Sequence, residues 1–233
     1  KILYIHQYFN LPTEPGGTRS YWISQELIKQ GHQVTMLTTS RDITSKRKRV
    51  NIDGIDVIYL KVPYNQYMSI FKRVLSFVSF MLKSTRIALK EKDVDLLIAT
   101  STPLTVGFPA LIVKKLKNTP FIFEVRDLWP EVPIQMGGLK NKLLIKLALW
   151  FEKTIYKNSM HIVALSPGML DGVVKRDIPT EKVSMIPNMS KIDAFGPRDK
   201  DVSLFDKLQL KPNTFKIVYF GAMGIANGMD YII

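Results

Sequence analysis

Two glycine-bearing turns, one near each end of the chain, carry residue types that can hold a phosphate. Near the start, Pro15-Gly16-Gly17-Thr18-Arg19 follows an apolar run, Ile2 to Ile5, and precedes a helix-like stretch from Arg19 to Gln30. Glycine lets the main chain approach a ligand without a Cβ in the way, and Arg19 offers a guanidinium for a phosphate. Near the end, residues 216–220 read as a strand, 221–228 as a glycine-rich turn, and 229–233 as the opening of a helix. Strand, glycine turn and helix N-terminus together point unpaired backbone N–H groups and a helix dipole at an anion. Two such units predict a cleft that holds a phosphorylated substrate between domains. A glycine pair is also ordinary turn material. No Gly-x-Gly-x-x-Gly follows Ile5 directly, which argues against a common NAD or FAD enzyme.

A second constellation is Phe123-Glu124-Val125-Arg126-Asp127-Leu128-Trp129-Pro130-Glu131. Just beyond an apolar strand it sets Arg126, Asp127 and Glu131 beside an aromatic ring and a turn-fixing proline. Opposite charges clustered at a strand end can hold sugar hydroxyls and tune a carboxylate. Asp127 fits equally well as the cap of the next helix or as a structural partner of Arg126. Metal and nucleophile signals are poor. The three histidines, His6, His32 and His161, show no ligand spacing, and Ser166 lies outside a Gly-x-Ser-x-Gly elbow.

These residues need elements to place them. Apolar runs at 2–6, 33–38, 55–60, 96–100, 121–125, 161–164 and 183–186 read as strands. Helical stretches at 19–30, 69–90, 104–117, 140–157 and 167–175 fall between them. Short apolar strands joined by crossover helices predict an α/β, Rossmann-like, mostly parallel sheet with helices on both faces. Ligands of such sheets bind beyond the carboxyl ends of the strands. That rule selects Gln7 to Arg19, Thr100 to Pro103, Arg126 to Glu131, Ser166 and Asn188. Residues 1–187 are therefore expected to form one domain, 188–213 a linker with a short helix near 202–208, and 214–233 the start of a second domain.

Composition bounds the partners. Thirty-three Lys and Arg against twenty Asp and Glu give a formal charge of +13, a field that attracts nucleic acid, an anionic membrane surface or sugar phosphates. An acidic remainder of a longer chain would offset it. The absence of cysteine excludes disulfides and thiolate metal sites, and no apolar stretch reaches the length of a membrane span. In the stretch 69–90, Phe71, Val74, Leu75, Val78, Met81, Leu82 and Leu89 repeat at helical spacing and are expected to cover the sheet. Phe77, Phe80 and Ile87 fall outside that stripe, near Lys72, Arg73, Lys83 and Lys90. Lys142, Lys146, Lys153 and Lys157 share one side of the later helix, beside Leu149 and Tyr156. Basic residues mixed with large apolar ones describe a surface for anionic lipid, or a solvated basic face. The run Lys46-Arg47-Lys48-Arg49 reads as a solvated loop.

Taken in order, several segments resemble the N-terminal half of a retaining glycosyltransferase of family 4, with GT-B architecture, and bacterial surface-polysaccharide members in particular. They are Tyr4-Ile5-His6-Gln7-Tyr8-Phe9 with Pro15 to Arg19, Val125 to Glu131, and Ala164-Leu165-Ser166-Pro167-Gly168-Met169. Ile186-Pro187-Asn188 and Val218 to Gly224 complete the set. The resemblance implies two Rossmann-like domains facing a cleft, a nucleotide-sugar donor, expected to be UDP-linked, and a lipid-linked saccharide acceptor. It makes Arg126 and Asp127 the residues near the reacting carbon, and Gly16, Gly17, Thr18, Arg19, Glu131, Ser166 and Asn188 substrate-binding. Gly221, Gly224 and Asn227 would cradle the donor phosphates. It implies no cofactor and no metal, and a cytoplasmic protein peripheral at the inner membrane face; nucleic-acid binding driven by the +13 charge lacks any recognised motif and an evident stacking platform, so no nucleic-acid partner is expected. The remaining catalytic residues would lie past Ile233, leaving this stretch inactive alone. Many relatives carry histidine where Arg126 stands, and Asn227-Gly228 replaces a common Lys-Gly pair. A non-catalytic partner subunit that keeps the fold is the alternative.

Overall fold

The computed structural model describes residues 1–40, 43–64, 68–190, 196–197, 199, 202–211, 214–219, 221, 228 and 231. The chain divides into two compact units, Lys1–Met189 and Ser190–Ile233.

The first unit is built on one eight-stranded sheet ordered β3-β4-β2-β1-β5-β6-β7-β8. Its strands are β1 (Ile2–Ile5), β2 (Val34–Ser40), β3 (Arg47–Ile52), β4 (Ile55–Lys61), β5 (Leu96–Thr100), β6 (Phe121–Val125), β7 (His161–Ala164) and β8 (Val183–Met185). Every pairing is parallel except β3 with β4. Parallel strands need both faces covered, and the pleat divides the side chains accordingly. Leu3 and Ile5 of β1 enter one core with Leu37, Leu97 and Phe123, whereas Tyr4 enters the other with Met36 and Val57. The first core is closed by α2 (Ile70–Lys90), α3 (Gly107–Lys117), α5 (Lys142–Asn158) and α6 (Pro167–Val174). The second is closed by α1 (Arg19–Lys29), through Tyr21, Trp22 and Leu27.

Local chemistry fixes the helix starts. Asn141 caps α5 by accepting from the N–H groups of Leu143 and Leu144, and Ser166 caps α6 by accepting from Met169. At Gly107 an added Cβ would sit 2.3 Å from Cδ1 of Ile155, so only glycine lets α3 and α5 approach this closely.

Three expectations are corrected. The basic run 46–49 is not a loop: Arg47–Ile52 is an antiparallel edge strand, where Arg49 pairs with Asp56 and Glu91. Charged side chains on an edge strand discourage pairing with another chain. On α2 the assignment of faces is inverted. Phe71, Val74, Leu75, Val78 and Leu82 are exposed, and the helix buries Ser76, Phe80, Ser84 and Ala88. The small buried residues permit close approach, and their hydroxyls are satisfied by backbone carbonyls, Ser76 on Pro63 and Ser84 on Met81. Finally, residues 216–219 belong to no strand, because no sheet neighbour lies among the described residues of the second unit; Phe220 lies outside them. That unit does contain α7 (Val202–Lys207), with Nζ of Lys216 4.7 Å from the Phe205 ring centre.

Candidate functional site

Strand order reverses between β1 and β5: the chain runs outward from β1 to one side, then returns to build the other. Such a switch point leaves a crevice at the carboxyl ends of the strands. A cleft of about 330 Å³ lies there, lined by His6, Tyr8, Asn10, Gly17, Thr102, Arg126, Asp127, Leu165 and Asn188. His6 follows β1, Thr102 follows β5, Arg126 and Asp127 follow β6, and Leu165 follows β7.

The centre of the cleft is a hydrogen-bonded series. Nη1 of Arg126 lies 3.1 Å from Nε2 of His6, and Nδ1 of His6 lies 2.7 Å from Oγ of Ser20. A guanidinium can only donate, so Nε2 accepts and Nδ1 carries the proton that it donates to Ser20. Burial, then the charge of Arg126, lowers the His6 pKa to about 3, so the ring stays neutral and can keep accepting. Gly17 lies under the same guanidinium: an added Cβ would be 2.9 Å from Nη2 of Arg126. The backbone N–H of Arg126 donates to Oγ of Ser101, and Oγ1 of Thr102 donates to the Asp127 carboxylate. Asp127 therefore does not cap the following helix, α4 (Glu131–Gln135), whose N-cap is Pro130. At Gly16, φ is +125° and a Cβ would sit 2.4 Å from Nδ2 of Asn10, so the turn requires glycine.

Other expected residues have structural work. Arg19 is 5% exposed; its Nε donates to Oε1 of Glu124 at 2.9 Å, and its two terminal nitrogens donate to the carbonyls of Pro187 and Ile186. Its guanidinium is occupied and does not line the cleft. Ser166 caps α6 through its hydroxyl, whereas Thr18 occupies the N-cap position of α1 without a side-chain cap. Glu131 pairs with Arg176 at 3.0 Å, and Arg176 also holds the buried Glu152, so the trio joins α4, α5 and the end of α6. Asn188 does line the cleft. Gly221 is exposed in the second unit, while Gly224 and Asn227 lie outside the described residues.

Sequence reasoning gives His6, which ends the first strand near the glycine loop, no more than a minor ligand role, and Glu124 only a place in a motif. Glu124 is buried and accepts from Arg19, from Thr100 Oγ1 at 2.9 Å and from Tyr4 Oη at 3.4 Å. This network ties β1, β5 and β6 to the start of α1, directly behind the cleft. Beside that carboxylate, burial drives the Tyr4 phenol far above its ordinary pKa. Among the described residues, no group of three or more His, Asp and Glu side chains is arranged to hold a metal ion.

The sheet is doubly wound, with its cleft at the switch point, where Gly17 and the Arg126 guanidinium meet. Residues 16–189 match the glycosyl transferase 4-like domain, and the chain belongs to that family. It is 27% identical over 225 residues to the putative colanic acid biosynthesis glycosyl transferase WcaI of Escherichia coli (strain K12), covering 89% of this chain and 55% of that protein. Among solved structures, it is similar to sucrose-phosphate synthase from Thermosynechococcus elongatus, with a TM-score of 0.61 and 14% identity over 91% of this chain and 53% of that one. It is also similar to Anabaena HepE in complex with UDP-glucose, with a TM-score of 0.54 and 13% identity over 89% of this chain and 49% of that one. The chain thus spans about half the length of the relatives it matches.

Proposed function

We propose that this chain forms the acceptor-side half of an enzyme that moves a sugar from a nucleotide diphosphate donor, UDP-linked, to a lipid-linked saccharide in polysaccharide biosynthesis, with retention at the anomeric carbon. The observation that carries the reading is the Arg126 guanidinium held over Gly17 by a neutral His6, at the switch-point cleft. No ion pair to Arg126 is present among the described residues, so its charge is available to a ligand. WcaI supports the polysaccharide context, and the UDP-glucose bound to HepE supports the donor class.

The chemistry follows from charge and position. As the bond between the anomeric carbon and the donor phosphate breaks, negative charge grows on the departing diphosphate. A fixed cation stabilises that charge more in the transition state than in the ground state. The glycine loop admits the ligand close to the backbone. Asp127, oriented by Thr102, faces the acceptor, whose hydroxyl attacks from the side the diphosphate leaves. In this reading Gly221, Gly224 and Asn227 bind the diphosphate. The reaction needs no metal or cofactor in this reading.

Lipid attachment of the acceptor is supported by the surface of the first unit. Two helices carry exposed apolar side chains beside basic ones: Leu75 and Leu82 near Lys83 on α2, Leu147 and Trp150 near Lys146 on α5. No helix among the described residues is long and apolar enough to cross a membrane. A peripheral position on the cytoplasmic leaflet of the inner membrane suits both facts. The test is a screen of the full-length polypeptide for hydrolysis of, and transfer from, a panel of UDP- and GDP-sugars, with the anomeric configuration of any product read by NMR. Turnover of a UDP-sugar with retention is expected. A failure to turn over any nucleotide sugar, with or without lipid-linked acceptor, favours the non-catalytic subunit.

A further inference from the structure

Arg19 reaches three parts of the cleft wall without entering the cleft. Its Nε donates to Oε1 of Glu124 at 2.9 Å, and Glu124 stands two residues before Arg126 on β6. Its backbone lies two residues after Gly17, in the loop that opens α1. Its Nη1 donates to the Pro187 carbonyl at 2.6 Å and its Nη2 to the Ile186 carbonyl at 2.9 Å, directly before Asn188. Gly17, Arg126 and Asn188 all line the cleft.

Of these three parts, the stretch before Asn188 has the least support of its own. β8 ends at Met185, and the ladder beside it closes with the Ile186 N–H donating to the Ala164 carbonyl at 2.9 Å. Pro187 has no N–H with which to continue. Residues 186–189 are exposed and lie outside regular structure. Among the described residues, it is Arg19 that bonds the Ile186 and Pro187 carbonyls. A segment leaving a strand samples many conformations, and two charge-assisted bonds to consecutive carbonyls restrict it to one. The guanidinium is itself immobile: it is 5% exposed, and the Glu124 carboxylate on its Nε also accepts from Thr100 and Tyr4. The Asn188 carboxamide makes no hydrogen bond among the described residues. It offers the cleft both a donor and an acceptor, which is what a sugar hydroxyl takes.

We infer that Arg19 is a positioning residue for sugar recognition: by clamping Ile186 and Pro187 it holds the Asn188 carboxamide at the cleft, where that group meets a hydroxyl of the substrate sugar. This rests on the sugar-transfer reading above. Lysine cannot replace the clamp, because one ammonium keeps a charge beside Glu124 but lacks the planar fork that reaches a carboxylate and two carbonyls together.

The experiment is a cycle in the full-length polypeptide: wild type, Asn188→Ala, Arg19→Lys, and the two substitutions together. For the nucleotide sugar found by the screen above, kcat/KM, donor KM and acceptor KM are measured, with melting midpoints on the same preparations. Asn188→Ala is expected to lower kcat/KM by about three- to tenfold, the scale of one neutral hydrogen bond. Arg19→Lys should lower it to a similar degree and raise the same KM that Asn188→Ala raises. In the Asn188→Ala background, Arg19→Lys should cost less than about twofold, because the group it positions is gone. Should Arg19→Lys melt far below wild type, Arg19→Met with Glu124→Gln takes its place in the cycle, since that pair removes the clamp and leaves no buried charge unpaired. An equal fold-loss in both backgrounds, or an Asn188→Ala enzyme as active as wild type, overturns the positioning role and leaves sugar transfer standing. A full-length polypeptide that turns over no nucleotide sugar removes the sugar-transfer reading and this role with it.

Discussion

Arg126 and His6 meet 3.1 Å apart at the ends of two strands separated in the sheet by β5, and the ring is the acceptor. The pair works only while His6 is neutral, since an imidazolium would face a guanidinium with no lone pair to offer it. Folding holds the His6 pKa near 3, below its ordinary 6.5, through burial and then through Arg126. The unfolded chain therefore binds the extra proton first as pH falls. Stability attributable to His6 is complete above pH 6.5 and is lost progressively between 6.5 and about 3. At about pH 4.5 the loss should be roughly 2–3 kcal/mol, from 1.36 kcal/mol per unit. Urea midpoints of wild type and His6→Gln, measured at neutral and acid pH, check it: the variant should lose less stability on acidification. An equal loss in both proteins would place the acid sensitivity elsewhere.

Arg19 and Glu124 are each about 4% exposed and 2.9 Å apart. Removing one partner leaves a buried charge uncompensated, so Arg19→Met should cost about 3–5 kcal/mol. Replacing both, as Arg19→Met with Glu124→Gln, should recover much of that. Chemical denaturation of the three proteins tests the cycle. Equal losses in the single and double variants would mean that the bonds from Arg19 to the carbonyls of Ile186 and Pro187, rather than the ion pair, carry its contribution.

Trp150 is 64% exposed on α5, next to Leu143, Leu147 and the row of lysines. If this face rests on anionic lipid, its emission should shift to the blue on adding phosphatidylglycerol vesicles at low salt, and the shift should reverse as screening grows. Neutralising Lys142 and Lys146 together should weaken vesicle binding by about 2 kcal/mol, near thirtyfold, at about 1 kcal/mol per charge. Sedimentation with vesicles measures it. Binding unmoved by salt and by both substitutions would leave these lysines merely solvated.

The sheet was readable because parallel strands buried on both faces leave short unbroken apolar runs, and all seven predicted runs of the first unit became strands. The eighth, Arg47–Ile52, was hidden by its own function as an edge: its side chains point to water, so Arg47, Lys48 and Arg49 looked like loop. On α2 the period was plain and the direction was not. Both sides of that helix offer large apolar residues, and sequence spacing counts Ser76, Ser84 and Ala88 as weak signals although they are what fits against the sheet and α3. At the cleft, the carboxyl-end rule found Gly17, Arg126, Asp127 and Asn188. It could not separate Arg19 from them. Only the fold brings Glu124 beneath Arg19, across 105 residues of sequence, and turns its charge inward.

The most direct measurement is the kcat/KM for nucleotide-sugar turnover by the full-length polypeptide carrying Arg126→Met, alongside Gly17→Ala, with melting midpoints taken on the same preparations. Loss of the cation should lower kcat/KM by about 10²–10³, the scale of removing one preorganised charge-stabilising donor. Gly17→Ala should lower it in the same direction, because its Cβ claims the space 2.9 Å from Nη2 of Arg126. Both variants should unfold near the wild-type temperature. An Arg126→Met enzyme that turns over its donor within about twofold of wild type would contradict the assignment of this cleft as the site of sugar transfer.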